Sequence, residues 1–196
     1  MLFSKKKKNK SSTFLQSIKP SRKNNFHTHS SSQQVTEYSG KVLDKKKKQV
    51  GVFSYSCDEG CSIYLTEIFN TKLIGWLEKM DLIYFLSIKD HHEVKHYDIA
   101  IVEGVITNKK DKLELEKLRA KTDILIAMGT CTITGVPSAQ RNDFNEEQMA
   151  QIQDHLDKFD YLPKVLTVPE VVKVDAEVMG CPISEKKFIE IFEKYL

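Results

Sequence analysis

The sequence predicts an α/β fold, a doubly wound parallel sheet of the flavodoxin-like kind, over residues 49–196. Three observations predict it. Short β-branched or aromatic runs recur at 50–54, 82–88, 98–102, 124–128 and 165–168, and their near-continuous apolar character suits strands covered on both faces. Segments of helical periodicity lie between them. The chain has no internal repeat, and alternating β and α elements of this length build an open twisted sheet.

The elements follow in order. After the first run, Leu65, Ile68 and Phe69 share a helical face that Leu73 continues, with Trp76 as a packing residue. The run at 82–88 leads into a charged connection that holds His91, His92 and His96 beside Asp90 and Glu93. Such polar connections belong to the surface, so a solvated loop is expected there ahead of a metal site. The third run ends at Glu103-Gly104, and the fourth at Gly129-Thr130. Met149, Ile152, Leu156 and Phe159 form a second apolar stripe. The last helix is the clearest: Phe188, Ile191, Phe192 and Tyr195 follow the i, i+3, i+4, i+7 pattern, with Ser184 placed to cap it.

Residues 1–48 read differently. The first 50 residues hold 13 Lys and Arg against two acidic residues; the whole chain has 30 against 27, so residues 51–196 carry a net charge of −8. Lysine blocks at 5–8 and 45–48 and a Ser/Gln run at 30–34 leave too little apolar surface to offset the entropy of ordering, so 1–48 is expected to be a disordered basic tail. Lysine blocks bind phosphates without sequence preference. This tail lacks interleaved aromatic residues and the globule is acidic, so no specific nucleic-acid partner is expected. No stretch approaches the roughly 20 apolar residues of a transmembrane helix, and no apolar region follows the basic N-terminus as in a secretory signal. The expected location is the cytoplasm, where thiols stay reduced and cysteines point first to metal or redox chemistry.

The chain has four cysteines, Cys57, Cys61, Cys131 and Cys181. Cys57 and Cys61 follow the first strand at the turn that opens the next helix. Cys131 follows the fourth strand by way of Gly129-Thr130, and Cys181 sits in Met179-Gly180-Cys181-Pro182 before the last helix. Pro182 cannot donate a hydrogen bond and helps direct the chain into that helix. The ends of parallel strands open on one edge, where sheets of this kind bind ligands. Four thiolates can therefore meet at one crevice. As buried small hydrophobes, four cysteines in Gly-flanked turns are poorly explained. A zinc site would normally show two close pairs, and here there is one. An iron–sulfur cluster tolerates scattered ligands and a ligand Cys followed by Pro. Glycines beside the ligands, Gly60 and Gly129 among them, make room and free backbone N–H groups for sulfur. This is the favoured reading.

Taken in order, SYSCDEGC at 54–61, DIAIVEG at 98–104, AMGTCTITG at 127–135 with Gln140-Arg141-Asn142, and Gly180-Cys181-Pro182 resemble the small subunit of nickel–iron hydrogenases. The likeness is to the short cytoplasmic forms of NAD- or sulfur-linked hydrogenases. The iron–sulfur subunit of NADH:quinone oxidoreductase shares the fold. The resemblance implies that Cys57, Cys61, Cys131 and Cys181 hold one 4Fe–4S cluster, proximal to the active site of a large partner subunit that carries the nickel–iron centre. It sets Glu103-Gly104 beside the cluster and the large-subunit interface, with Glu103 either a proton-relay carboxylate or an acceptor that orders the ligand loops. With fifteen residues after Cys181, one cluster is expected.

Two departures stand out. The first pair is spaced C-x3-C where the family has C-x2-C, and one glycine, Gly135, stands where the family often has two. Adjacent cysteines, usual in the quinone-reductase relatives, are missing from the first motif, which favours the hydrogenase side. The expected role is a non-catalytic electron relay between the large subunit and a diaphorase-type or ferredoxin-like partner. The competing readings are a subunit of an NADH:quinone oxidoreductase-like complex and a zinc-stabilised binding module.

Overall fold

The computed structural model describes residues 46–85 and 95–196. Among the described residues, seven strands and six α-helices follow in chain order: β1 (Lys48–Ser54), α1 (Gly60–Leu77), β2 (Met80–Phe85), β3 (Tyr97–Glu103), β4 (Ile106–Asn108), α2 (Lys109–Arg119), β5 (Thr122–Met128), α3 (Thr130–Thr134), α4 (Glu146–Lys158), β6 (Tyr161–Leu166), α5 (Val168–Val171), β7 (Ala176–Val178) and α6 (Glu185–Tyr195). Five strands form one parallel sheet in the order β2-β1-β3-β5-β7. Counting only these strands, the order is 2-1-3-4-5, that of the flavodoxin-like doubly wound sheet.

Alternation along the central strands fills both faces. On β3, Ile99 and Ile101 point to one side, where they join Val50, Val52, Ile126 and Met128 beneath α1 and α6. Ala100 and Val102 point to the other, with Leu125 and with Leu115 and Leu118 of α2. A strand buried on both faces reads as a continuous apolar run. The α1–α6 side is the aromatic one. Trp76 sits edge-on to Phe69 and Phe192, while Phe188 stacks on Phe192. The Trp76 indole N–H donates to Glu193 Oε1 at 3.0 Å, so its polar end is satisfied as well.

Two expectations change. The run at 165–168 is not a fifth member of the sheet. It falls across the end of β6, which pairs antiparallel with β4 in a separate two-stranded ribbon, and the start of α5. The fifth place goes to β7, three residues long, which buries Val178 alone and therefore shows no apolar run. On α4, Leu156 is buried but Phe159 lies past the helix end and is exposed, because that helix stands on the ribbon instead of on the sheet. The motif residues at 140–142 explain themselves here. Arg141 donates to Leu162 O, and Asn142 exchanges bonds of 2.9 and 2.7 Å with Val165, stapling a 3-10 turn to β6. Of the tail expected at 1–48, residues 1–45 lie outside the described residues, as do 86–94 with His91 and His92.

Candidate cluster site

The sheet register explains how distant cysteines meet. Ser54, Glu103, Met128 and Val178 are direct partners in one row across β1, β3, β5 and β7. Cys57, Cys131 and Cys181 each lie three residues beyond a member of that row, so three separate strands each lead to a cysteine at the same edge. Cys61 arrives from the first turn of α1. The structure thus brings together all four residues singled out in the sequence.

Backbone bonds lace the turns to one another. Beyond β1, Ser56 pairs with Val105 across the turn after β3 through bonds of 3.1 and 3.0 Å. The β5–α3 turn holds the Cys181 loop: Gly129 N–H donates to Val178 O, Thr130 N–H to Gly180 O, and Gly180 N–H to Thr130 Oγ1 at 3.1 Å. Gly129 has φ +99°, and a Cβ there would stand 2.9 Å from Cys61 Sγ and 3.8 Å from Cys131 Sγ. Its hydrogen therefore keeps the space between two sulfurs open. Gly104, at φ +92°, serves a different end. A Cβ would strike the Tyr55 carbonyl carbon at 2.9 Å, and its N–H donates to Thr132 Oγ1 at 2.7 Å. Gly60 faces Asp58, not sulfur, and its N–H donates to the Asp58 carboxylate at 3.0 Å. Pro182 follows Cys181 through a cis peptide bond.

The sulfurs differ in surroundings. Cys61 and Cys131 are buried, Cys57 is half-buried and Cys181 is exposed. The longer C-x3-C loop curls back on itself: Glu59 adopts a left-handed conformation (φ 58°), and its N–H donates to Cys57 Sγ at 3.3 Å. Burial pushes the Cys57 thiol up, against the Ser54 hydroxyl and the Glu59 N–H, which pull it down. Burial pushes the Cys61 thiol up to about 12, opposed by the Ile183 N–H and reinforced by Glu103, Cys131 and Cys181. Holding a metal here releases thiol protons, because the thiolate is the ligand. Free thiols, an opening between sulfurs and N–H groups aimed at two of them suit an iron–sulfur cluster.

Glu103 stands behind the cysteines, 1% exposed. Its Oε1 accepts from Ser54 Oγ and its Oε2 from the Ser62 N–H, both at 3.0 Å. Burial pushes its carboxyl up, and these donors pull it down. Ser54, Ser62 and Thr132 were not singled out from the sequence. The bonds that tie them to Glu103 and Gly104 span 28 to 49 positions, so no local pattern marks those pairings. His96 donates to or accepts from Asp123 at 3.2 Å at the far ends of β3 and β5, on the opposite edge from the cysteines.

A flavodoxin-like α/β domain with four cysteines gathered at the carboxyl edge of its sheet has its candidate ligands where open α/β sheets bind theirs. The family model for the NADH ubiquinone oxidoreductase 20 kDa subunit matches residues 57–195, and the chain belongs to that family. Among curated relatives, it is 26% identical over 149 residues to one subunit of the vhu F420-non-reducing hydrogenase of Methanococcus voltae, covering 69% of this chain and 52% of that protein. It is 29% identical over 140 residues to the delta subunit of the NAD-reducing hydrogenase HoxS of Cupriavidus necator, covering 63% and 66%. Among solved structures, an NAD+-reducing nickel–iron hydrogenase in the H2-reduced state aligns with a TM-score of 0.65 at 25% identity, over 76% of this chain and 92% of that one. The chain spans about half the length of the first curated relatives it matches. The resemblance read from the motifs stands. Among the described residues, no helix is long and apolar enough to cross a membrane.

Proposed function

We propose that the chain is the electron-transfer small subunit of a hydrogenase-type complex, with one 4Fe–4S cluster on Cys57, Cys61, Cys131 and Cys181. The observation that carries this reading is the register row from which three strands each present a cysteine, three residues on, to one edge. Such a cluster supplies one-electron transfer at a potential set by burial and by hydrogen bonds to sulfur. The chain's own residues do the rest. Glu59 and Ile183 direct N–H groups at Cys57 and Cys61, and Gly129 keeps the cradle open.

A partner on this edge is supported by what the ligand segments leave uncovered. Ile63, Met179 and Val136 are 61%, 47% and 64% exposed, two to five residues from Cys61, Cys181 and Cys131. Exposed apolar side chains on the segments that carry the cysteines are what a partner surface on this edge would cover. The reading assigns this edge to a nickel–iron large subunit, with a diaphorase-type or ferredoxin-like electron partner, in the cytoplasm. A subunit of an NADH:quinone oxidoreductase-like complex is the second reading, favoured by the name of the matching family. The relatives from Methanococcus voltae and Cupriavidus necator are hydrogenase subunits, which favours the first.

Anaerobic purification of the tagged chain from its own cells tests the proposal. The expected result is co-purification of a large subunit with paired C-x2-C motifs and bleaching of the brown complex by hydrogen. A complex that is reduced by NADH and reoxidised by quinone, yet inert to hydrogen, points to the second reading instead.

A further inference from the structure

Ser54 ends β1 with one hydroxyl and two neighbours that compete for its proton. Its Oγ stands 3.0 Å from Glu103 Oε1 and 3.4 Å from Cys57 Sγ. A free Cys57 thiol can donate to Ser54 and leave the Ser54 proton on Glu103. A metal-bound Cys57 thiolate has no proton and can only accept. The hydroxyl next to Cys131 offers nothing comparable. Thr132 Oγ1 lies 3.9 Å from that sulfur, but its proton is spent on Met128 O at 2.7 Å while it accepts the Gly104 N–H. Cys57 also sits on the longer, half-buried ligand loop, where a second anchor besides the Glu59 N–H fixes the sulfur.

We propose, resting on the cluster reading above, that Ser54 is a positioning residue for the cluster: its hydroxyl turns from Glu103 to the Cys57 sulfur when that sulfur is a bound thiolate, holding the ligand in place and raising the reduction potential. A hydrogen bond to a ligand thiolate stabilises the more negative, reduced cluster, which is why the potential rises. Glu103 keeps its Ser62 N–H bond in either arrangement, since that bond uses the other oxygen.

The test compares the full wild-type chain with Ser54→Ala, Ser54→Val and Ser54→Thr, each loaded anaerobically with iron and sulfide. Folding is checked by circular dichroism, iron content is measured, and the cluster is titrated by EPR-monitored potentiometry. Val and Thr share a shape, so their difference reads the hydroxyl alone. The expected result is a downward shift of the potential in Ala and Val and a wild-type potential in Thr. Folded Ala and Val variants that lose iron while Thr retains it support the role equally. A Val potential equal to that of Thr, or the same loss in Thr as in Val, overturns it. A wild-type chain that takes up no iron and sulfide overturns the cluster reading itself, and this role with it.

Discussion

Gly129 is the residue on which the site's geometry turns most sharply. A side chain there meets two penalties at once, a left-handed φ of +99° and a Cβ 2.9 Å from Cys61 Sγ. The first costs about 1–3 kcal/mol in the folded protein, with or without metal; the second bears on the space between sulfurs. Gly129→Ala is therefore expected to lower the stability of the metal-free chain by that amount in urea unfolding and to reduce iron uptake further than the loss of stability explains. Glu103 makes a pH prediction. Its folded pKa lies above the ordinary carboxylate value because it is buried. The folded state thus holds this proton to higher pH than the unfolded chain, and stability rises as pH falls from the folded pKa toward about 4.3, the unfolded value. Glu103→Gln keeps an acceptor for the Ser62 N–H but cannot titrate. Urea unfolding of the metal-free chain between neutral and mildly acidic pH is expected to show that rise flattened in the variant. The cysteines and Glu103 were legible in the sequence because Gly-flanked turns mark them. Ser54, Ser62 and Thr132 were not, since the bonds that tie them to Glu103 and Gly104 join segments far apart in the sequence.

Elements differ in what they contribute. On α6, Phe188 is fully buried between Trp76 and Phe192. Phe188→Ala is expected to cost about 3–5 kcal/mol, measured by chemical denaturation, because the cavity opens in the packed side of the sheet. On α4, Asn145 and Gln148 form a reciprocal capping box with bonds of 2.9 and 3.0 Å. Asn145→Ala is expected to cost about 1 kcal/mol while leaving iron content unchanged, since that helix stands away from the sheet. Legibility follows the same division. The helix at α6 and strands β1, β3 and β5 declare themselves because they bury whole faces. The 165–168 run misleads because β6 buries Val165 with Val105 and Cys131 while pairing only with β4, and an apolar run does not say which sheet receives it. Strand β7 stays hidden because an edge strand of three residues needs only one apolar side chain.

At the scale of the molecule, a parallel sheet converts sequence distance into proximity. Cysteines 70 and 50 positions apart become neighbours because one register row ends β1, β3, β5 and β7 at the same edge. The strand–helix alternation and the placement of cysteines after strands were enough to anticipate this edge. The row itself was not, because register depends on pairing across the sheet. Exposed apolar residues lie close in sequence to the cysteines, as the proposed partner interface requires. Metal analysis of the anaerobically purified chain decides whether these four sulfurs hold a cluster. The expected result is a brown protein with about four irons and four labile sulfides per chain, as a four-cysteine cubane requires, with both lost from the Cys61→Ser and Cys131→Ser variants. A colourless protein with one zinc and no sulfide would contradict it.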